Sequence, residues 1–128
     1  MENKNNPLSP HIQIYNWHIS SLLSITHRIV GVVNIIAIIF VCSWIILLSF
    51  GEPNYEFIQV FSQSFFGKFF IIALSWSFSF HTLNEIRHLV WDMGHGYDLK
   101  ISQVTGIVTI FGSFILAILI YIFGRNII

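Results

Sequence analysis

The sequence predicts an all-α membrane protein with three transmembrane helices. Three observations point that way. Apolar residues make up 55% of the chain and charged residues only 9%, where a soluble domain carries about 25% charged. Three apolar runs approach the roughly 20 residues that a helix needs to cross a ~30 Å hydrocarbon core. None alternates in polarity over ~10 residues as barrel strands do. Helices satisfy their own backbone hydrogen bonds in lipid, so they are the expected form.

The tail, residues 1–20, comes first. Met1 to Leu8 holds Glu2, Lys4, three asparagines and no apolar core. It has the pattern of neither a signal peptide nor an arginine-rich transit peptide. The chain is therefore expected to be bacterial or made inside the organelle that uses it. Helix one is expected at about 21–50, where Ile29 to Phe50 gives 22 uncharged residues and Asn34 is the one strongly polar side chain. Gly51, Glu52, Pro53 and Asn54 should open a loop, and Tyr55 to Ser64 a short interfacial helix. Helix two is expected at about 66–91. Its first part is apolar, with 16 uncharged residues from Phe69 to Asn84, before Glu85, Arg87, His88 and Asp92. Lys68 can snorkel to the near interface. Gly94, Gly96 and Asp98 mark a short loop. Helix three is expected at about 101–124, with 24 uncharged residues from Ile101 to Gly124, closed by Arg125. The length suits one domain, 1–128, and no internal repeat is visible.

Orientation follows from the basic residues. The tail and the second loop share one side and hold Lys4, Arg28, Arg87 and Lys100, against Lys68 and Arg125 on the other. The positive-inside rule therefore places the N-terminus on the cytoplasmic or matrix side. Tyr15, Trp17, Trp91 and Tyr97 fit an aromatic belt there.

Composition also excludes function classes. Six basic and six acidic residues cancel, so there is no clustered basic footprint and no nucleic-acid partner is expected. The single Cys42 cannot form an internal disulfide, and an iron–sulfur cluster normally takes four cysteines. Electron transfer by this chain would need another cofactor or a partner that carries the cluster.

The few ionisable groups are patterned. His81, Glu85, His88 and Asp92 recur at i, i+4, i+7 and i+11, one stripe of helix two. Ser24, His27, Arg28 and Gly31 recur at i, i+3, i+4 and i+7 on helix one. Both stripes fall near the same membrane face. Charge in a bilayer costs ~2.5–3.5 kcal/mol or more, so the stripes should face each other, a partner or a cofactor. His81 lies deepest, about 10 Å below His88 at 1.5 Å per residue. Two readings stand for it: an axial ligand to haem iron, or a histidine bonded to a neighbouring hydroxyl or carbonyl. His27, Arg28 and His88 lie shallower, where haem propionates would point. Arg28 can equally snorkel to headgroups, Ser24 can back-bond to a helix carbonyl, and Asp92 can pair with Arg28 or His88. A proton or metal transporter using the histidine stripe is disfavoured, because such folds are commonly built from internal repeats.

At these residues the chain resembles the cytochrome b subunit of succinate dehydrogenase, in its mitochondrial and alphaproteobacterial form. Three blocks carry the likeness: Pro7-Leu8-Ser9-Pro10-His11 with Ile14-Tyr15; Ser24-Ile25-Thr26-His27-Arg28 with Gly31; and Phe80-His81-Thr82, Ile86-Arg87-His88-Leu89, Trp91-Asp92 and Gly94. The resemblance implies a membrane anchor of respiratory complex II. A flavoprotein subunit oxidises succinate and an iron–sulfur subunit passes the electrons on. Two small anchors hold that pair on the bilayer and share a haem b. His81 would be this chain's axial ligand. Ser24, Ile25 and Arg28 would border the ubiquinone, and His27, Arg28 and His88 would approach the propionates.

Glu85 departs from the family pattern, which usually has glycine there. An acid at that place can pair with His88 at i+3, stay protonated, or replace the haem contact. The last option leaves a structural anchor that has lost its haem. Val30 in place of threonine and Asn6 in place of arginine are smaller departures. Fumarate reduction, the reverse reaction, is also compatible, although the ubiquinone-type blocks favour succinate oxidation.

Overall fold

A computed structural model describes residues 16–127. The first likeness block, with Lys4, Asn6, His11 and Tyr15, lies outside the described residues. Four helices follow one another: α1 (Ile19–Ser49), α2 (Glu52–Gln63), α3 (Phe65–Asp92) and α4 (Leu99–Ile127). No strand occurs among the described residues.

Valine and isoleucine dominate α1, although they are not the best helix formers in water. Lipid reverses that weighting, because an unpaired backbone group there costs several kcal/mol. At 31 residues, α1 is about 46 Å long at 1.5 Å per residue. It ends where Gly51 takes φ 110°, a conformation that suits glycine. The expected loop at Gly51–Asn54 shrinks to that residue. Pro53 sits in the first turn of α2, where a missing N–H costs nothing, so α2 starts at Glu52 and not at Tyr55.

Ser64 then turns the chain by 85° between α2 and α3. Its hydroxyl caps α3 by accepting from the Gly67 amide at 3.0 Å, which satisfies one orphan donor of the first turn. Gly67 is pressed onto the end of α2. A methyl group there would stand 1.8 Å from the Phe61 carbonyl oxygen. At its other end α3 stops before Gly94 and Gly96, both at φ 82°. The Trp91 indole donates to the Gly96 carbonyl at 3.2 Å and closes this loop.

The protein core is thin. Leu23, Val30, Phe80 and Ala117 are its buried apolar side chains, while most of the large apolar residues face outward. That exposure would be a liability in water and is what a bilayer requires. α1 and α4 are each long and apolar enough to cross a membrane, and the bent α2–α3 pair counts as a third candidate. α3 falls short alone because its last turns are ionisable.

α3 packs most extensively on α4. There α4 presents Ser102, Gly106, Thr109, Ser113 and Ala117, all buried, a stripe of small residues that lets the helices approach closely. α1 meets α3 through Leu23, Val30 and Phe80, and through the Ser77 hydroxyl, which donates to Asn34 Oδ1 at 2.8 Å.

Candidate functional site

The two polar stripes meet near one end of the bundle. Two turns into α1, His27 reaches across to α3 and stacks on His81, with ring centroids 4.4 Å apart and planes 3° from parallel. His88, two turns further along α3, lies 5.5 Å from the His27 ring. Its Nδ1 is 2.8 Å from the Asn84 carbonyl oxygen. A carbonyl only accepts, so Nδ1 donates and Nε2 is left as the acceptor nitrogen. Gly31 makes room beside His81: a methyl group there would lie 3.7 Å from His81 Cε1, ordinary contact, and a larger side chain would reach the ring.

Glu85 pairs across the helices. Its Oε1 lies 2.9 Å from His27 Nε2 and 3.9 Å from His81 Nε2. Of the alternatives open to Glu85, pairing with His88 is not made; His27 stands closer and aims Nε2 at the carboxylate. Donor atoms of His27, His81 and Glu85 fall within 4.8 Å of one another, so this trio has the reach to hold a metal ion. The Nδ1 atoms of His27 and His81 are buried without a hydrogen-bond partner.

Below the histidines a cavity of about 590 Å³ opens between α1 and α3, lined by Gly31, Asn34, Ala37, Leu74, Phe78 and His81 among others. Its walls are otherwise mostly aliphatic and aromatic, as ligand pockets commonly are.

The other expected residues stand apart from the cluster. Ser24, Ile25 and Arg28 are exposed on the open side of α1. Arg28 makes no hydrogen bond or ion pair among the described residues. Asp92 is exposed and meets neither Arg28 nor His88.

One residue was missed. Counted by charge, Arg87 belongs to the membrane face; in the structure it is only 6% exposed. Its guanidinium donates to the Ser102 carbonyl and hydroxyl, both at 3.0 Å, and to Thr105 Oγ1 at 3.2 Å. It also lies 4.1 Å over the Trp91 ring, a cation–π contact. The available signal was spacing: Ser77, Phe80, Asn84 and Arg87 share one helical face, opposite a run of small polar residues in α4.

Residues 2–120 match the family described as succinate dehydrogenase/fumarate reductase transmembrane subunit. The chain belongs to that family. It is 40% identical over 119 residues to the succinate dehydrogenase cytochrome b556 subunit of Rickettsia prowazekii, which covers 91% of this chain and 90% of that protein. It is 30% identical over 125 residues to the cytochrome b560 subunit of Reclinomonas americana, covering 94% and 87%. Membership makes the chain one membrane subunit of an oxidoreductase complex, not an enzyme complete in itself.

Proposed function

We propose that this chain is the anchor of a succinate:ubiquinone oxidoreductase, shares haem b with a second small anchor subunit and lines the ubiquinone-reduction site. It crosses the membrane three times as a single domain, with its N-terminus on the cytoplasmic or matrix side. Electrons arrive from an iron–sulfur subunit, which a flavoprotein subunit supplies. The membrane is a bacterial plasma membrane or the mitochondrial inner membrane.

The observation that carries this reading is the gathering of His27, His81 and His88 at one end of an outward-facing apolar bundle. These residues fit a haem. An imidazole lines a mostly apolar cavity, Gly31 keeps its flank clear, and one of its ring nitrogens has no protein partner. His81 would hold the iron, and His27, Arg28 and His88 the propionates. When bound, haem supplies a one-electron site between the anchors.

Ser24 and Arg28 lie one turn apart on the exposed side of α1, with Ile25 next to Ser24. A quinone headgroup there would have one carbonyl oriented by the Ser24 hydroxyl. The Arg28 guanidinium would meet the negative charge that builds on the headgroup oxygen during reduction.

Glu85 favours a second reading, an anchor without haem, since its carboxylate stands 3.9 Å from His81 Nε2. Its side chain is 56% exposed, so it is free to swing outward and make way. A dithionite-reduced spectrum of the purified complex decides between them. The first reading expects a low-spin b-type signature that His81→Ala abolishes. A spectrum unchanged in His81→Ala would sink it. A signature absent from the wild type and gained in Glu85→Gly would establish the second.

A further inference from the structure

The far end of the bundle holds a second cavity, of about 540 Å³. Lys68 comes from the first turn of α3 and Arg125 from the last turns of α4. Gln63, Ser62 and the half-buried Tyr121 complete a polar mouth, and no acidic residue lines it among those described. Neither the Lys68 ammonium nor the Arg125 guanidinium makes an ion pair or hydrogen bond among the described residues. The packing of α3 on α4 brings the two cations to one mouth.

Two cations, a phenol and an amide form a set of donors matched to a phosphate group. The cavity does not end there. Ser75 and Ile120 line both it and the cavity that leads toward His81. Beyond them the wall is apolar, through Leu74, Ile38 and Val41. A cationic mouth that continues into an apolar groove suits an amphiphile with an anionic head, where a free phosphate would use the mouth alone.

We propose that Lys68, Arg125 and Tyr121 form a binding site for the phosphate of an anionic glycerophospholipid, one acyl chain of which runs along Ile71, Ser75 and Ile120 and stops short of the His81 end of the groove. The site rests on the three-span reading, which puts Lys68 and Arg125 at one membrane face. Bound lipid would close the end of the bundle that the α2–α3 elbow leaves open.

The test uses the whole complex, purified in detergent and stripped of lipid. It is titrated with dioleoylphosphatidylglycerol, dioleoylphosphatidylcholine or inorganic phosphate, and bound ligand is counted by native mass spectrometry. Wild-type complex should prefer phosphatidylglycerol. Lys68→Gln with Arg125→Gln should weaken that binding roughly thirtyfold, the loss of two interfacial basic contacts, while Lys68→Arg with Arg125→Lys should retain it. Equal affinity for both lipids, or unchanged affinity in the glutamine variant, overturns the site. Inorganic phosphate competing as strongly as the lipid overturns the lipid assignment. In a Cys42→Ser background, Lys68→Cys and Arg125→Cys should label from the same side of sealed vesicles with an impermeant maleimide. Labelling from opposite sides overturns the three-span reading and the site together, whereas same-side labelling with unchanged lipid affinity overturns the site alone.

Discussion

Toward α4, α3 is closely packed; toward α1 it is open. On the α4 side, small buried residues line the contact and Arg87 finds its acceptors within the chain, although the buried Asn84 amide has no hydrogen-bond partner there among the described residues. On the α1 side stand stacked histidines, ring nitrogens without hydrogen-bond partners and a cavity of about 590 Å³. Both sides carry polar groups into an apolar bundle. The difference is what lies beside them: on the α4 side a tightly packed helix of this chain, on the α1 side an open cavity next to His81.

The comparison can be broken by substitution. The largest effect is expected on the open side and in activity. Arg28→Leu should slow succinate-to-quinone turnover about 10²–10³-fold, by analogy with the loss of one oxyanion donor. It should spare succinate oxidation with a dye that takes electrons upstream. The measurement is the ratio of the two activities in assembled complex; equal loss of both would make Arg28 a surface arginine with no role toward quinone.

On the closed side the effect should appear in stability. Arg87→Leu removes hydrogen bonds from a charged donor and leaves Ser102 and Thr105 without it, at a cost of about 2–3 kcal/mol. Unfolding of the complex in a denaturing-detergent titration reads this directly. A cost below about 0.5 kcal/mol, the size of an ordinary surface change, would mean that the α3–α4 contact stands without the guanidinium.

Smaller still is the contact at mid-depth between α1 and α3. Ser77→Ala loses the bond to Asn34 and should cost ~0.6 kcal/mol, the average for interhelical bonds in a membrane protein. A loss near that of Arg87→Leu would show that the α1 side is held as firmly as the other.

The two sides also differ in how legible they were. Run lengths announced the long helices, because a bilayer imposes a minimum span that composition alone can meet. Spacing at i+4 and i+7 gathered His81, Glu85 and His88 on one face, since helical geometry fixes that relation within a single element. Pairing between helices is another matter. Glu85 bonds His27, 58 positions away in sequence, and no periodicity reports which residue of another helix comes nearest. Arg87 was misjudged because a count of charges treats every arginine as facing the membrane surface. Its burial depends on the small residues of α4, which make room for it. Nor did the first loop survive, because glycine followed closely by proline marks a helix start as readily as a turn.

The elbow between α2 and α3 has a mechanical consequence. With α3 across the bilayer, an 85° turn lays α2 close to the membrane plane, with Phe57 and Val60 well exposed. Such a helix resists leaving the interface, as amphipathic surface helices do, and Gly67 couples it rigidly to α3. It acts as a depth stop. Sixteen residues separate Phe65 from His81, about 24 Å of helix at 1.5 Å per residue. A float on one leaflet thus sets how far the His81 imidazole sits from the other, and its depth is gauged from the opposite shore.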